Sequence, residues 1–326
     1  MTIARIALAA ALTAALTTSA SAQSRVSVYT AHTANIVDTL IPHFEKTTGI
    51  KADVIKAGSG DIINRARAEA ANPKADVIWS IGAELLEAHA DLLEPYTPKE
   101  FDMIADAFKG GAAWLPYTGI VNVFIVNTKK LKPEEYPKTW LDLAQPRFKN
   151  QISMAGADRS GSAYMQLGTF LTIYGDDAAG WAKFKTVFSN LNASNSSGAV
   201  PRFVNDGEAS VGITLEDNAF LFVKGGGPVA IIYTEDGTST IADGMALVKR
   251  APNPAAGKAF IDWALSAPVQ ELVVQELGRR PIRKDAKPLG SLKPLGEIKF
   301  IKYDIKRAAD KRKEFLDKWN DLMLTR

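Results

Sequence analysis

The sequence predicts an α/β fold of two lobes, each a sheet flanked by helices, with a ligand cleft between them. Three observations carry this reading. A leader-like N-terminus leaves about 300 residues, more than a single core usually covers. Strand, loop and helix patterns alternate along that length. Loops rich in serine, threonine and glycine recur where a strand pattern passes into a helix pattern.

Residues 1–22 have the three parts of a secretory signal. Arg5 precedes the apolar run Ile6 to Leu16, and Ala20-Ser21-Ala22 forms a small-residue cleavage site. The run is too short for a membrane span, which needs roughly 20 residues. No cysteine follows the site for lipid attachment. The sequence therefore predicts export to the periplasm with cleavage near Ala22. Lys and Arg total 39 against 36 Asp and Glu, a near balance without a nucleic-acid footprint. Cysteine is absent, which removes thiol catalysis and thiolate metal sites. A core of this size does without disulfides.

The elements follow in order. Arg25 to Tyr29 alternates as a strand, and residues 30–35 form a polar loop. A helix then carries Ile36, Leu40, Ile41 and Phe44 and stops at Gly49. Lys51 to Ile55 is a strand, residues 57–61 a Gly-rich loop, and Ile62 to Ala71 a helix. Ala75 to Trp79 is a third strand leading to another helix. Gly119 to Asn127 and Gln151 to Met154 read as strands of the second lobe. Helices are predicted from about Ala163 to Tyr174 and from Trp181 to Leu191. Ser210 to Leu215, Val229 to Tyr233 and Ala246 to Val248 are further strands. Pro254 to Leu277 holds one or two helices, Arg283 to Gly296 an irregular connection, and Lys306 to Met323 one charged helix.

Four strand–helix junctions hold the small polar residues: Thr30 to Thr33, Gly58-Ser59-Gly60, Ser160-Gly161-Ser162 and Ser196-Ser197-Gly198. A helix start leaves backbone N–H groups unpaired and carries partial positive charge. Serine there is ordinarily a plain N-cap. Four such junctions in an open α/β arrangement face one crevice and suit an oxyanion. Ser59, Gly60, Ser160, Gly161, Ser162 and Ser197 are the expected anion ligands. Thr30 and His32 are expected to close the pocket. Glu216-Asp217 and Glu235 follow strands and are expected to hold hydroxyls or an amine at the other end of the ligand. Paired carboxylates also fit glycoside hydrolysis, so a secreted hydrolase is the alternative from another class. No HExxH, GxSxG or Walker-type motif supports an enzyme.

Val28-Tyr29-Thr30-Ala31-His32, Ala75 to Trp79, Arg159 to Ser162, Ser196 to Pro201 and Val211 to Asp217 resemble the solute-binding proteins of ABC transporters. The resemblance is to the branch with ferric-iron, hexose-phosphate and 2-aminoethylphosphonate receptors. It implies a type II periplasmic-binding-protein fold whose two lobes, 23–116 with 240–282 and 117–239 with 283–326, cross near Tyr117 and Thr240 and close on ligand. It implies a non-enzymatic, monomeric receptor without a cofactor. Its partners would be a small anionic solute and an inner-membrane ABC permease. Iron-binding members carry adjacent tyrosines after the strand that ends here at Leu215, whereas this chain has Glu216-Asp217. That departure favours a phosphorylated or phosphonate organic anion over ferric iron, the alternative within the family.

Overall fold

In a computed structural model, residues 24–325 are described, so the expected leader lies outside them. The first half contains β1 (Arg25–Thr30), α1 (Ala34–Thr48), β2 (Lys51–Lys56), α2 (Ser59–Ala68), β3 (Val77–Gly82), α3 (Ala83–Ala88) and β4 (Leu93–Glu94). The long strand β5 (Leu115–Asn127) leads into β6 (Ile152–Ala155), α4 (Gly161–Tyr174), α5 (Ala178–Phe188) and β7 (Leu191–Ser194). Then come α6 (Ala199–Asn205), β8 (Val211–Leu215), α7 (Glu216–Lys224), β9 (Val229–Ile232) and β10 (Thr240–Val248). The chain ends with α8 (Pro254–Leu265), α9 (Ala267–Leu277), α10 (Ile305–Asp310) and α11 (Arg312–Leu324). No helix among the described residues is long and apolar enough to cross a membrane.

The strands lie in the order β2-β1-β3-β10-β5-β8-β6-β7, with β4 on β10 and β9 on β5. Strands β1, β2 and β3 are parallel, as the predicted βα units require. So are β6, β7 and β8. The antiparallel strands β10 and β5 join the two groups. The first part of β5 pairs with β10 through Val121↔Thr240, and the rest pairs with β8 from Asn122↔Leu215 onward. All thirteen residues of β5 are buried. A strand buried on both faces reads as a nearly continuous apolar run, and Ile120 to Val126 is one broken only by Asn122.

Each half has its own core. Val28, Trp79, Phe260 and Val273 belong to the first, and Phe124, Phe170, Phe184 and Trp319 to the second. The amphipathic pattern of α5 buries Phe184, Val187 and Phe188 against Trp319 and its neighbours. The single charged helix predicted from Lys306 to Met323 is two helices, broken at Lys311. The break lets Ala308, Phe315 and Trp319 all face the second core, while α10 packs against α3 of the first half. The predicted strand at Ala246 begins six residues earlier, because Gly244 and its neighbours remain in the sheet through bulges.

Candidate functional site

The strand–helix junctions of the two halves line one cavity of about 780 Å³. Its wall includes His32, Ser59, Ser160, Gly161, Ser162 and Ser197 from the predicted set. Gly58 is the N-cap of α2, so Ser59 and Gly60 form its first turn rather than a free loop. Ser160 caps α4 and accepts a hydrogen bond from Ala163 N at 3.2 Å. Ser162 Oγ lies 3.0 Å from Ser160 Oγ. Lys56 and Arg159 add positive charge at the wall, and Asp61 negative charge.

The halves touch around this cavity. Gly60 N donates to Arg159 O at 3.3 Å. A Cβ on Gly60 would stand 2.7 Å from Asp158 O, and one on Gly58 would stand 2.6 Å from Arg159 O. These two glycines therefore allow backbone from opposite halves to meet. Gly60 serves this contact between the halves and does not line the cavity.

Thr30 is also absent from the wall. It is fully buried, and its Oγ1 accepts a hydrogen bond from His32 N at 3.1 Å, which sets the turn that carries His32. The His32 ring lies edge-on to Trp79 at 4.3 Å and to Tyr117 at 5.6 Å. Both of its nitrogens are buried without a partner. Burial, assisted by the Arg279 charge, pushes its pKa well below the ordinary histidine value, so the ring is neutral.

The predicted acids lie elsewhere. Glu216 accepts two hydrogen bonds of 2.7 Å from Arg280 and a third from the Tyr233 hydroxyl. Asp217 Oδ2 is 3.0 Å from Arg279 Nη2. Both acids start α7, are buried and stand off the cavity wall. Glu235 is exposed, 3.8 Å from Lys138 Nζ, also away from the cavity. Its neighbour Asp236 accepts from Trp140 N at 2.9 Å and braces the second half. None of the three predicted acids lines the cavity: Glu216 and Asp217 are buried on Arg280 and Arg279, and Glu235 lies at the surface.

Asp243 and Arg279 were not among the site residues expected from the sequence. Both line the cavity. Arg279 donates to Asp243 and, at 2.8 Å, to Thr118 Oγ1. Burial alone would lower the Arg279 pKa, but Asp217 and Asp243 outweigh it and the net shift is upward. Asp243 is itself raised, first by burial, against the opposing pull of Arg279. Register shifts on both sides of β10 shape this spot: Gly244↔Ile81 is followed by Met245↔Trp79, and Asp243↔Thr118 by Gly244↔Pro116. The residue skipped on β3 is Ser80, held at φ 62° with its hydroxyl donating to Asp243 at 2.7 Å. Bulges commonly re-aim side chains beside functional sites, and a serine at positive φ is uncommon.

Ser80, Glu84 and Asn218 also line the cavity and escaped the sequence reading. The only sequence signal was Gly278-Arg279-Arg280, a helix-ending glycine before two adjacent cations. Gly278 is the left-handed cap of α9 at φ 66°. Among the described residues, no group of three or more His, Asp and Glu side chains is placed to hold a metal ion.

The family model for bacterial extracellular solute-binding proteins matches residues 30–271. The chain belongs to that family. This solute-binding protein is 31% identical over 322 residues to a protein of Haemophilus influenzae, covering 94% of this chain and 92% of the other. It is 30% identical over 254 residues to the "Putative 2-aminoethylphosphonate-binding periplasmic protein" of Salmonella typhimurium, covering 75% and 73%. Ferric-iron-binding proteins also occur among its relatives. In structure it matches the periplasmic binding protein AfuA from Actinobacillus pleuropneumoniae with fructose-6-phosphate bound. The TM-score is 0.86 at 27% identity, covering 92% of this chain and 98% of that one. The fold is thus the two-lobed type II arrangement, and the solute-binding protein is the receptor component of an ABC importer.

Proposed function

We propose that this receptor works in the periplasm and binds a small phosphorylated or phosphonate organic anion in the cavity, for delivery to its membrane permease. The observation that carries the reading is the convergence of the starts of α2 and α4 on one cavity from opposite halves. Ser59 comes from one and Ser160, Gly161 and Ser162 from the other. Helix-start N–H groups and these hydroxyls suit a tetrahedral oxyanion. Ser197 approaches from a third junction, and Lys56 and Arg159 favour negative charge. The organic end of the ligand would then face Asp243, Arg279 and His32. The named ligands of the aminoethylphosphonate relative and of AfuA agree in carrying a phosphoryl or phosphonyl group.

A thermal-shift screen tests this with inorganic phosphate, fructose 6-phosphate, 2-aminoethylphosphonate and ferric citrate. Ligand bound only by the folded state stabilises it by about 2.7 kcal/mol at a hundred times the dissociation constant. At least one organic phosphoryl probe is expected to raise Tm. A rise with ferric citrate alone would reverse the assignment. Release of inorganic phosphate from fructose 6-phosphate would point to a hydrolase instead.

A further inference from the structure

Glu84 stands in the first turn of α3, on the cavity wall, with none of its surface exposed. Neither of its carboxyl oxygens has a hydrogen-bond partner. Both lie over Gly82, 3.0 Å from where a Cβ on that glycine would be. Gly82 is close to the meeting point of the two halves. A Cβ on Gly161 would be 3.9 Å from Gly82 N and 2.8 Å from Ser59 Oγ. A buried carboxyl that no other residue pairs therefore stands on the same cavity wall as the serines that suit the oxyanion.

Its surroundings decide its protonation. From β10 it faces Asp243, and from α11 it faces Arg312. Arg312 is directed mainly at Tyr164 of α4, its guanidinium carbon 4.3 Å from the ring centre. Tyr303, just before α10, presents a buried hydroxyl without a partner. Lys306 on α10 acts on Glu87, and Ser80 on β3 gives its proton to Asp243. No ion pair reaches Glu84 among the described residues, so burial dominates. Asp243 adds to it, while the residue's own N–H and Arg312 oppose it. The balance raises Glu84 to about 7.

We propose that Glu84 is a specificity-determining residue that recognises the ligand as a carboxylic acid, donating its proton in a hydrogen bond to a phosphoryl oxygen. An ionised carboxylate at that place would oppose the anion with like charge, whereas the acid adds one more donor to those of the serines. The ligand class that fits is a phosphate monoester dianion, with binding linked to about one proton. This inference rests on reading the cavity as a phosphoryl site.

Calorimetry with fructose 6-phosphate and glycerol 3-phosphate, between about pH 7 and pH 8.5, tests it. The second phosphate pKa is about 6, so both probes are dianions throughout and the slope reports the protein. Wild-type affinity is expected to fall up to about tenfold per pH unit, the limit for one linked proton. Glu84→Gln keeps a donor and is expected to bind with a flat profile. A flat wild-type profile overturns the inference. So does a slope that persists in Glu84→Gln, which would put the proton on another group of the protein such as His32. If Glu84→Gln fails to fold, the infrared spectrum of the wild-type complex at about pH 8 decides. A protonated-carboxyl band supports the proposal and its absence overturns it. Absence of binding by both probes at every pH, with 2-aminoethylphosphonate still bound, overturns this inference alone, and failure of all three overturns the phosphoryl reading with it.

Discussion

Arg280 grips Glu216 through two parallel hydrogen bonds of 2.7 Å, and the two residues come from opposite halves of the molecule. Arg280 follows α9, which is built into the first core, and Glu216 opens α7 on the second. The next residues repeat the pairing, Arg279 with Asp217. Arg280 O also accepts a hydrogen bond from Gly119 N of β5 at 2.8 Å. The twin pair therefore lies beside β5, the strand that joins the two groups of strands.

Removing one partner of this pair is expected to be costly. Arg280→Ala leaves Glu216 charged in a site only 2% exposed. Breaking a buried pair from one side costs about 3–5 kcal/mol, while replacing both partners with apolar residues is often near neutral. Urea unfolding should show a large loss for Arg280→Ala and a smaller one for the Arg280→Met, Glu216→Leu double variant. Equal losses would mean that packing, not the uncompensated charge, dominates here.

Arg279 has both a structural and a ligand-facing position, because it touches the cavity while satisfying Asp217, Asp243 and Thr118. Lysine keeps the charge but lacks the planar fork that reaches all three. Arg279→Lys is expected to weaken binding of a phosphoryl probe by about ten- to a hundredfold, equivalent to one charge-assisted hydrogen bond. Calorimetry with fructose 6-phosphate reads this directly. An unchanged dissociation constant would confine Arg279 to scaffolding.

Ser160 and Ser162 separate helix capping from ligand binding. Ser160 is the N-cap of α4, so Ser160→Ala should destabilise the ligand-free protein by about 1 kcal/mol. Ser162 does not cap the helix, and its hydroxyl pairs with Ser160 Oγ. Ser162→Ala is therefore expected to leave the unfolding midpoint without ligand within about 0.5 kcal/mol of wild type. Its affinity for the best phosphoryl probe should fall about tenfold. A variant that loses stability but not affinity would move the anion away from α4.

The split between what was legible in the sequence and what was not has a physical basis. Strand–helix alternation is local, so the βα units and the serine junctions could be read from spacing alone. Ser59, Ser160 and Ser162 reach the cavity because helix starts at strand ends face the crevice. Glu216 and Asp217 looked like free acids because their partners, Arg280 and Arg279, stand far later in the chain. Asp243 and Ser80 were invisible for a related reason. Each sits at a register shift between β3, β10 and β5, and register is a property of paired strands. The break at Lys311 follows from the two cores that α10 and α11 must serve, which no helical period encodes.

Glu84 links the site to folding stability through pH. Its folded-state pKa is about 7, against an ordinary value of 4.5. Below pH 4.5 the carboxyl is protonated in both states and costs nothing. Between those two values the unfolded chain releases the proton while the folded chain keeps it, so stability falls as pH rises. Above pH 7 the whole cost is present, on the order of 3 kcal/mol from the two pKa values. Glu84→Gln removes the titrating group, and any cost of burying its amide is independent of pH. The variant should therefore gain stability relative to wild type as pH rises, most clearly between about pH 5 and pH 8. Paired urea titrations at those two values measure the difference. If the stability gap between variant and wild type were the same at both, Glu84 would be ionised in the folded protein at about pH 5, contrary to its burial without an ion pair.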